Sequence, residues 1–243
     1  MEILKRDHLP LGGFAGLKEH QLVKDPAVFG PTANEDNSWP GIGNFVYLAD
    51  ARFLPHGETR LHKHREVDVI SVLVDGRISH AGSLQHGRNL TRDDVQVQRA
   101  GGEGFSHNEI NPDDDMNRML QLWVLPETAG QAADYRVYQP ETGELTCIYG
   151  GDSHQQADFP SNTLIDVALL KADQQIIVVG PFMAYLSRGE GTANNQHIQD
   201  GDLVRGDSLN FQASNDVQLI VVHLANNLCI RVFLPTAGWV HVI

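Results

Sequence analysis

The stretch that decides the fold is residues 61–76, LHKHREVDVISVLVDG, in which two histidines precede an apolar run. His62 and His64 are two residues apart, so on an extended chain their side chains point to the same face, roughly 7 Å apart at the Cα atoms. On a helix the same spacing would turn them about 200° apart. The apolar run Val67–Val74 is typical of a β-strand, and we therefore predict that both imidazoles face one metal ion from a strand.

A second pair with the same spacing lies at His107 and Glu109, within residues 102–112, GEGFSHNEINP. One antiparallel sheet can bring the two pairs together from neighbouring strands. The resulting three imidazoles and one carboxylate form a mixed nitrogen and oxygen site that suits Fe(II), Mn(II), Ni(II), Cu(II) or Zn(II). Four protein ligands on an octahedral ion would leave two positions for a substrate or for oxygen.

Each pair alone is weak evidence, because twelve histidines in one chain produce such spacings by chance. Both pairs lie on predicted strands and each follows a glycine, which favours a shared metal site. His80 is predicted to be a solvated strand residue, with a hydrogen bond to the ligands as the alternative. Ser106 and Asn108 alternate to the opposite face and are interpreted as structural. Five residues are candidates either for a pocket around the site or for the core: Phe45, Phe53, Phe105, Met119 and Trp123.

Charge and composition exclude several functional classes. The chain of 243 residues has a formal net charge of −13 and 41% hydrophobic residues. The negative charge argues against nucleic acid, whose binding needs a basic face, and against docking on an anionic membrane. The sequence has no apolar run long enough for a membrane span and no signal peptide, so we expect a soluble protein of the cytoplasm. Cys147 and Cys229 form no CxxC pair and are expected to be free thiols.

Short apolar runs bounded by Gly, Asp, Asn and Pro recur along the chain, whereas helical periodicity is almost absent. The predicted strands include Asn44–Leu48, Val67–Val74, Met119–Leu125, Thr163–Leu170, Gln175–Val179, Phe182–Ser187, Leu209–Gln212 and Val217–Leu224. Turn signals such as Asp75-Gly76 and Gly101-Gly102 separate the runs. This pattern is typical of an all-β sandwich or barrel.

The polar segment Pro126–Asp134, PETAGQAAD, separates two halves that each hold several strand-like runs. We interpret it as an interdomain connection, which predicts domains at residues 1–128 and 129–243. GGEGFSHNE in the first half is faintly similar to DGDLVRGDS in the second, which agrees with an internal duplication. The sequence after residue 130 has no H-x-H pair and no clustered His/Glu set, so the metal site is predicted in the first domain only.

These motifs resemble those of the cupin superfamily. LHKHREVDVISVLVDG is similar to its first motif, and GEGFSHNEINP is similar to its second, which ends in His-x3-Asn. The combination of H-x-H and H-x-E, followed by Asn-Pro and the strand LQLWVLP, resembles the pirin family of bicupins over roughly residues 43–126. Asp68 stands where cupins usually carry a glutamate, outside the four ligand positions. The phenylalanine-rich N-terminal segment common in pirins has no clear counterpart in GGFAGLKEHQLVKDPAVFG, which indicates a divergent bacterial member. The resemblance implies two cupin-type (double-stranded β-helix, jelly-roll) barrels in one chain, with iron in the N-terminal barrel at His62, His64, His107 and Glu109.

The resemblance also implies a function. Pirins similar to quercetin 2,3-dioxygenases open the ring of flavonols, so this chain would be a metal-dependent oxidoreductase acting on a flavonol or a related enediol with O2. Glu109 would be the catalytic base that accepts the substrate hydroxyl proton. One alternative is a non-catalytic, metal-dependent regulatory module that binds a protein partner. Another is a cupin that binds ligands without a metal. We expect a monomer, because a bicupin can pair its two barrels within one chain.

Overall fold

A computed structural model describes residues 1–84, 88–151, 158–225 and 231–233. Within these residues the chain is almost entirely β-strand, with one four-residue α-helix, α1 (Pro26–Phe29), and one 3-10 turn at Arg6–His8. The predicted all-β class is therefore confirmed. In this described part, no helix is long and apolar enough to span a membrane. Cys147 is a free thiol, and Cys229 lies outside the described residues.

The chain begins with β1 (Glu2–Lys5), which pairs in the second of two compact units. The first unit is Leu9–Gln139. Its strands are β2 (Gly12–Phe14), β3 (Leu17–Lys24), β4 (Phe45–Phe53), β5 (His62–His64), β6 (Asp68–Asp75), β7 (Arg77–Gly82), β8 (Arg88–Thr91), β9 (Val95–Arg99), β10 (Phe105–Ile110), β11 (Arg118–Val124) and β12 (Asp134–Tyr138). They form a seven-stranded sheet, β12-β9-β6-β11-β4-β3-β2, and a four-stranded sheet, β5-β10-β7-β8, in which all named strand pairs are antiparallel.

The second unit combines Met1–His8 with Pro140–Ile243. Besides β1, its strands are β13 (Leu145–Gly151), β14 (Ser161–Leu170), β15 (Gln175–Arg188), β16 (Glu190–Ala193), β17 (Gln196–Gln199), β18 (Asp202–Ala213), β19 (Val217–Leu224) and β20 (Arg231–Phe233). These nine strands form one sheet in the order β13-β14-β19-β15-β18-β16-β17, with β1 pairing β18 and β20 pairing β15.

The division between the units differs from the boundary predicted at residues 128 and 129. Strand β12 lies inside the segment that follows the polar connection, yet it pairs with β9 and so belongs to the first unit. Strand β1 pairs with β18, and the backbone N–H of Arg6 donates to the carbonyl of Gly201. Because ladder hydrogen bonds join strands irrespective of their distance along the chain, polar composition alone did not locate the end of the first unit.

Most of the apolar runs predicted as strands are strands, and several are longer than their apolar part. The two runs Gln175–Val179 and Phe182–Ser187 form one strand, β15, whose register against β18 shifts between them. Gly180 lies in this interruption with a φ of 108°, which a side chain would strain. The following proline has no N–H to donate to the ladder. The interruption predicted as a break between strands is therefore a bend within one strand.

The turn that follows β10 is held by Asn111, which is fully buried. Its side-chain amide donates to the carbonyls of Leu54 and Asp115 at 3.0 and 2.7 Å. Its carbonyl oxygen accepts from the backbone N–H of Asp113 at 3.1 Å. These bonds tie the turn to backbone groups outside the strand ladders, and they fix the end of the strand that carries His107.

We predict that Asn111→Ala lowers the free energy of unfolding by about 2–3 kcal/mol, because it removes the three hydrogen bonds of a fully buried side chain. The measurement is chemical denaturation in the presence of a chelator, which keeps metal binding out of the comparison. Asn89→Ala, at an exposed position of β8, is the control and should change stability by less than about 0.5 kcal/mol. Equal stability of the two variants would contradict this role of Asn111.

Candidate metal centre

Strands β5 and β10 bring the predicted histidines together. They pair antiparallel, with His62 opposite His107 and His64 opposite Phe105. In β10 the residues Phe105, His107 and Glu109 are buried, whereas the two residues between them are only half-buried. The H-x-H pair therefore lies on a strand, as its spacing requires, and its imidazoles meet the inward face of the neighbouring strand.

Three imidazole nitrogens converge at this point. The Nε2 atom of His107 lies 2.9 Å from Nε2 of His62 and 3.1 Å from Nε2 of His64. All three candidate donor atoms lie within 4.8 Å of one another. His107 is fully buried and His64 is nearly so, while His62 is half-buried. Imidazole nitrogens that are bound about 2.1 Å from one ion and about 90° apart are about 3 Å from each other. The observed spacing fits a shared ion.

The opposite nitrogens of two rings determine where their protons are. Nδ1 of His62 lies 2.8 Å from the carbonyl oxygen of Arg60, and Nδ1 of His107 lies 3.0 Å from Oε1 of Gln98. Both oxygens only accept hydrogen bonds, so each Nδ1 carries the proton of its neutral ring. The two Nε2 atoms then face each other with lone pairs at 2.9 Å, and a cation between them satisfies both.

Protons are poor candidates for that cation. Burial, and next the charge of His62, lower the pKa of His64 to about 4. Burial, followed by the charges of the neighbouring histidines, lowers the pKa of His107 to about 2. Both rings therefore remain neutral at physiological pH, which is the state that binds metals. The donor set fits a divalent transition metal.

Glu109 is fully buried, but its carboxylate does not belong to the group of three converging nitrogens. One oxygen accepts from the hydroxyl of Ser71 at 2.7 Å, and the other accepts from Nε2 of Gln121 at 3.2 Å. Burial raises the pKa of Glu109 to about 7, partly offset by these two hydrogen bonds. Its role as a fourth ligand stays a prediction.

The prediction that His80 is solvated was wrong. It is fully buried on β7, opposite Glu109, and its Nε2 lies 3.2 Å from Nδ1 of His107. Sequence reasoning failed because β7 and β10 are neighbours in the sheet but not along the chain. No residue near His80 in the sequence therefore indicates the contact. Asn108, in contrast, points away from the imidazoles as predicted, and its side-chain oxygen accepts from the hydroxyl of Thr59.

Sequence reasoning also missed the polar side chains that surround the ligands. Ser71 on β6 and Gln98 on β9 are buried, and Gln121 on β11 is half-buried. A polar residue in an apolar strand is the available signal, as in VISVLV and VQVQR. These strands are buried on both faces, so alternation alone did not indicate which glutamines and serines turn inward.

An aromatic cluster lies next to His64. The rings of Phe105 and Trp123 lie 5.2 and 5.5 Å from its imidazole, between ring centres. Trp123 packs on Tyr47 at 4.7 Å, and Phe29 of α1 stacks on both rings at 5.9 and 5.4 Å. Phe29 is 36% exposed, so the cluster leads from the surface to the imidazole. The other three pocket candidates are buried: Phe45, Phe53 and Met119. Phe53 and Met119 belong to a separate core cluster.

The second unit repeats the pairing scheme with different side chains. The order β15-β18-β16 corresponds to β5-β10-β7, and Ile176 pairs with Phe211 as His62 pairs with His107. Counting outward from these pairs, the positions of His62, His64, His107 and Glu109 are taken by Ile176, Val178, Phe211 and Ala213. All four are buried and apolar, so the inner face of this unit offers no metal donor at those four positions.

Comparisons with known proteins agree with this fold and site. The family model described as Pirin matches residues 30–124. A protein of Zymomonas mobilis, named provisionally as a quercetin 2,3-dioxygenase, is 24% identical over 188 residues, which are 71% of this chain and 79% of the relative. A Pseudomonas aeruginosa protein with the same provisional name is 26% identical over 177 residues, 68% of this chain and 76% of the relative.

Solved structures extend the likeness to both units. The bacterial pirin YhhW from Escherichia coli, solved with nickel(II), superimposes with a TM-score of 0.77 at 15% identity, covering 92% of this chain and 98% of that one. A quercetin 2,3-dioxygenase from Acinetobacter baumannii gives 0.66 at 16% identity, covering 91% and 85%. These likenesses show a shared fold, in agreement with the predicted two cupin barrels. The family match to the segment that holds the three histidines adds a likeness in sequence, so the chain is similar to pirins.

Proposed function

We propose that this protein is a metal-dependent dioxygenase that acts on a flavonol, or on a related enediol, with O2. The observation that carries the proposal is the convergence of three imidazole nitrogens beside an aromatic cluster whose outermost ring, that of Phe29, is partly exposed. The provisional names of the two curated relatives support the same reaction class. Their identities of 24 and 26% leave the substrate itself a proposal.

In this proposal His62, His64 and His107 hold one divalent metal, with Fe(II) favoured by the resemblance to pirins. Nickel is a second candidate, because the related E. coli structure contains nickel(II). When bound, the metal supplies Lewis acidity to an oxygen of the substrate and a template for the two reactants. Zn, Mn and Cu suit the same donors.

Glu109 is proposed to accept the proton of the substrate hydroxyl. It lies two residues beyond His107 on the same strand face, so it borders the same interior. The Ser71 and Gln121 hydrogen bonds hold its carboxylate in place. A nearby dication favours the ionised carboxylate, the form that accepts a proton.

The aromatic cluster is proposed to orient a planar substrate. Trp123 contacts the imidazole of His64 on one side and Tyr47 on the other, and Phe29 completes the stack at the surface. Flat aromatic rings stack favourably on such side chains while the buried surroundings exclude water. A flavonol matches both requirements, since its enediol oxygens reach the metal and its rings stay in the cluster.

The first prediction concerns the metal. The purified protein is expected to bind one divalent metal ion per chain, measured by elemental analysis and chelator competition. His107→Ala should weaken binding by more than about 100-fold, because it removes a ligand rather than a supporting residue. His197→Ala changes an exposed histidine of the second unit and is the matched control. Equal metal content in both variants would rule out the proposed ligand set.

The second prediction concerns turnover. Absorbance of quercetin should fall in the presence of the metal-loaded protein and O2, and a chelator should stop the loss. Glu109→Gln should reduce kcat by about 10²–10⁴-fold, the range of general base catalysis, while the three imidazoles still retain metal. Stoichiometric metal without loss of any flavonol would instead favour the regulatory, partner-binding alternative.

A further inference from the structure

The proton on Nδ1 of His107 has two acceptors within reach. Oε1 of Gln98 lies 3.0 Å away, and Nε2 of His80 lies 3.2 Å away. All three side chains are fully buried. A histidine binds metal through one nitrogen only while the other nitrogen keeps the proton, so the partner of Nδ1 controls whether Nε2 is available.

Gln98 is the inner end of a chain of hydrogen bonds. Its Oε1 also accepts from Nε2 of Gln96 at 2.9 Å, and Oε1 of Gln96 accepts from the hydroxyl of Tyr135 at 3.0 Å. Gln96 is fully buried, whereas Tyr135 is half-buried on β12 at the edge of the seven-stranded sheet. The chain therefore connects a ligand of the candidate metal centre with the edge strand.

Only two arrangements of this chain satisfy its inner contacts. In the first, Tyr135 donates to Gln96, Gln96 donates to Gln98, and Gln98 accepts from Nδ1 of His107. In the second, both carboxamides are turned over, so that Gln98 donates to Nδ1 and the proton of the imidazole moves to Nε2. The second arrangement places a proton among the three converging nitrogens, where it blocks metal binding.

The structure adopts the first arrangement, at the expense of one hydrogen-bond donor. Nε2 of Gln98 is buried and has no hydrogen-bond partner within the described residues. An unpaired buried donor costs free energy. The hydrogen bonds that the side-chain oxygen accepts must therefore offset that cost in this orientation of the carboxamide. That oxygen accepts two hydrogen bonds, one of them from His107.

We propose that Gln98 is a positioning residue that fixes the tautomer of His107, and that Gln96 and Tyr135 fix the orientation of the Gln98 carboxamide. This inference rests on the proposed metal site. His80 is the weaker acceptor of the two, in keeping with its longer distance to Nδ1. The aromatic edge residue Tyr135 thus acts on the metal ligand through two buried carboxamides.

The test compares Gln98→Met, which keeps volume but removes the acceptor, with Gln98→Glu, which keeps it. Zn(II) affinity is measured by chelator competition, and the tautomer of His107 is measured by nitrogen NMR of the chelated, metal-free protein. Gln98→Met should raise the Kd for Zn(II) about 10–100-fold, the usual effect of losing a partner of a metal-binding histidine. It should also bring signal of the Nε2–H tautomer, whereas Gln98→Glu should keep the Nδ1–H tautomer and a Kd no weaker than that of the wild type.

Two controls make the result specific. Gln218→Met removes a fully buried glutamine from the second unit, where its oxygen accepts from the hydroxyl of Ser187, and should leave the Kd unchanged. His80→Leu removes the rival acceptor and should raise the Kd less than Gln98→Met does. A Gln98→Met protein with the Kd and tautomer of the wild type would overturn the inference, and so would a larger effect of His80→Leu. Failure of the wild type to bind Zn(II), Fe(II) or Ni(II) would overturn the proposed metal site, while the tautomer would still report on Gln98.

Discussion

The meeting of three imidazole nitrogens in an apolar interior is the constraint that explains the polar side chains around the candidate site. An acceptor at the opposite nitrogen of a neutral imidazole holds the proton there and so leaves the lone pair on the converging nitrogen. The backbone carbonyl of Arg60 serves His62, and Gln98 serves His107. Buried polar groups are costly unless they are hydrogen-bonded, and here Gln98 is bonded to His107 and Gln96.

The second unit shows that the barrel itself does not require this site. Its strands β15, β18 and β16 pair in the order of β5, β10 and β7, but Ile176 and Phe211 occupy the positions of His62 and His107. Backbone ladders use no side-chain atoms, so the pairing survives complete replacement of the inward residues. Phe211 belongs to the core of one unit, whereas His107 is a candidate metal ligand in the other.

The sequence predicts those parts of the structure that depend on local spacing. The H-x-H pair needs a strand, and the apolar runs identify most of the long strands, including β6, β14 and β19. The residues that complete the site come from strands distant along the chain, as the contact between His80 and His107 illustrates. Contacts across a sheet depend on strand order, which no local pattern contains, and β12 was assigned to the wrong side of the boundary for the same reason.

Glu109 shows why a ligand motif does not determine the state of each donor. Its spacing from His107 is the same whether the carboxylate faces an ion or its hydrogen-bond donors. In the structure Ser71 and Gln121 each donate a hydrogen bond to one of its two oxygens. Burial raises the pKa of Glu109 to about 7, which is close to physiological pH. The three imidazoles are arranged by the β5–β10 ladder before any ion binds. The protonation of the Glu109 carboxylate depends instead on burial, which favours the neutral form, and on nearby positive charge, which favours the ionised form. A bound dication would shift this balance toward the ionised form. The imidazoles thus define where an ion would lie, and its charge would in turn favour the ionised form of Glu109.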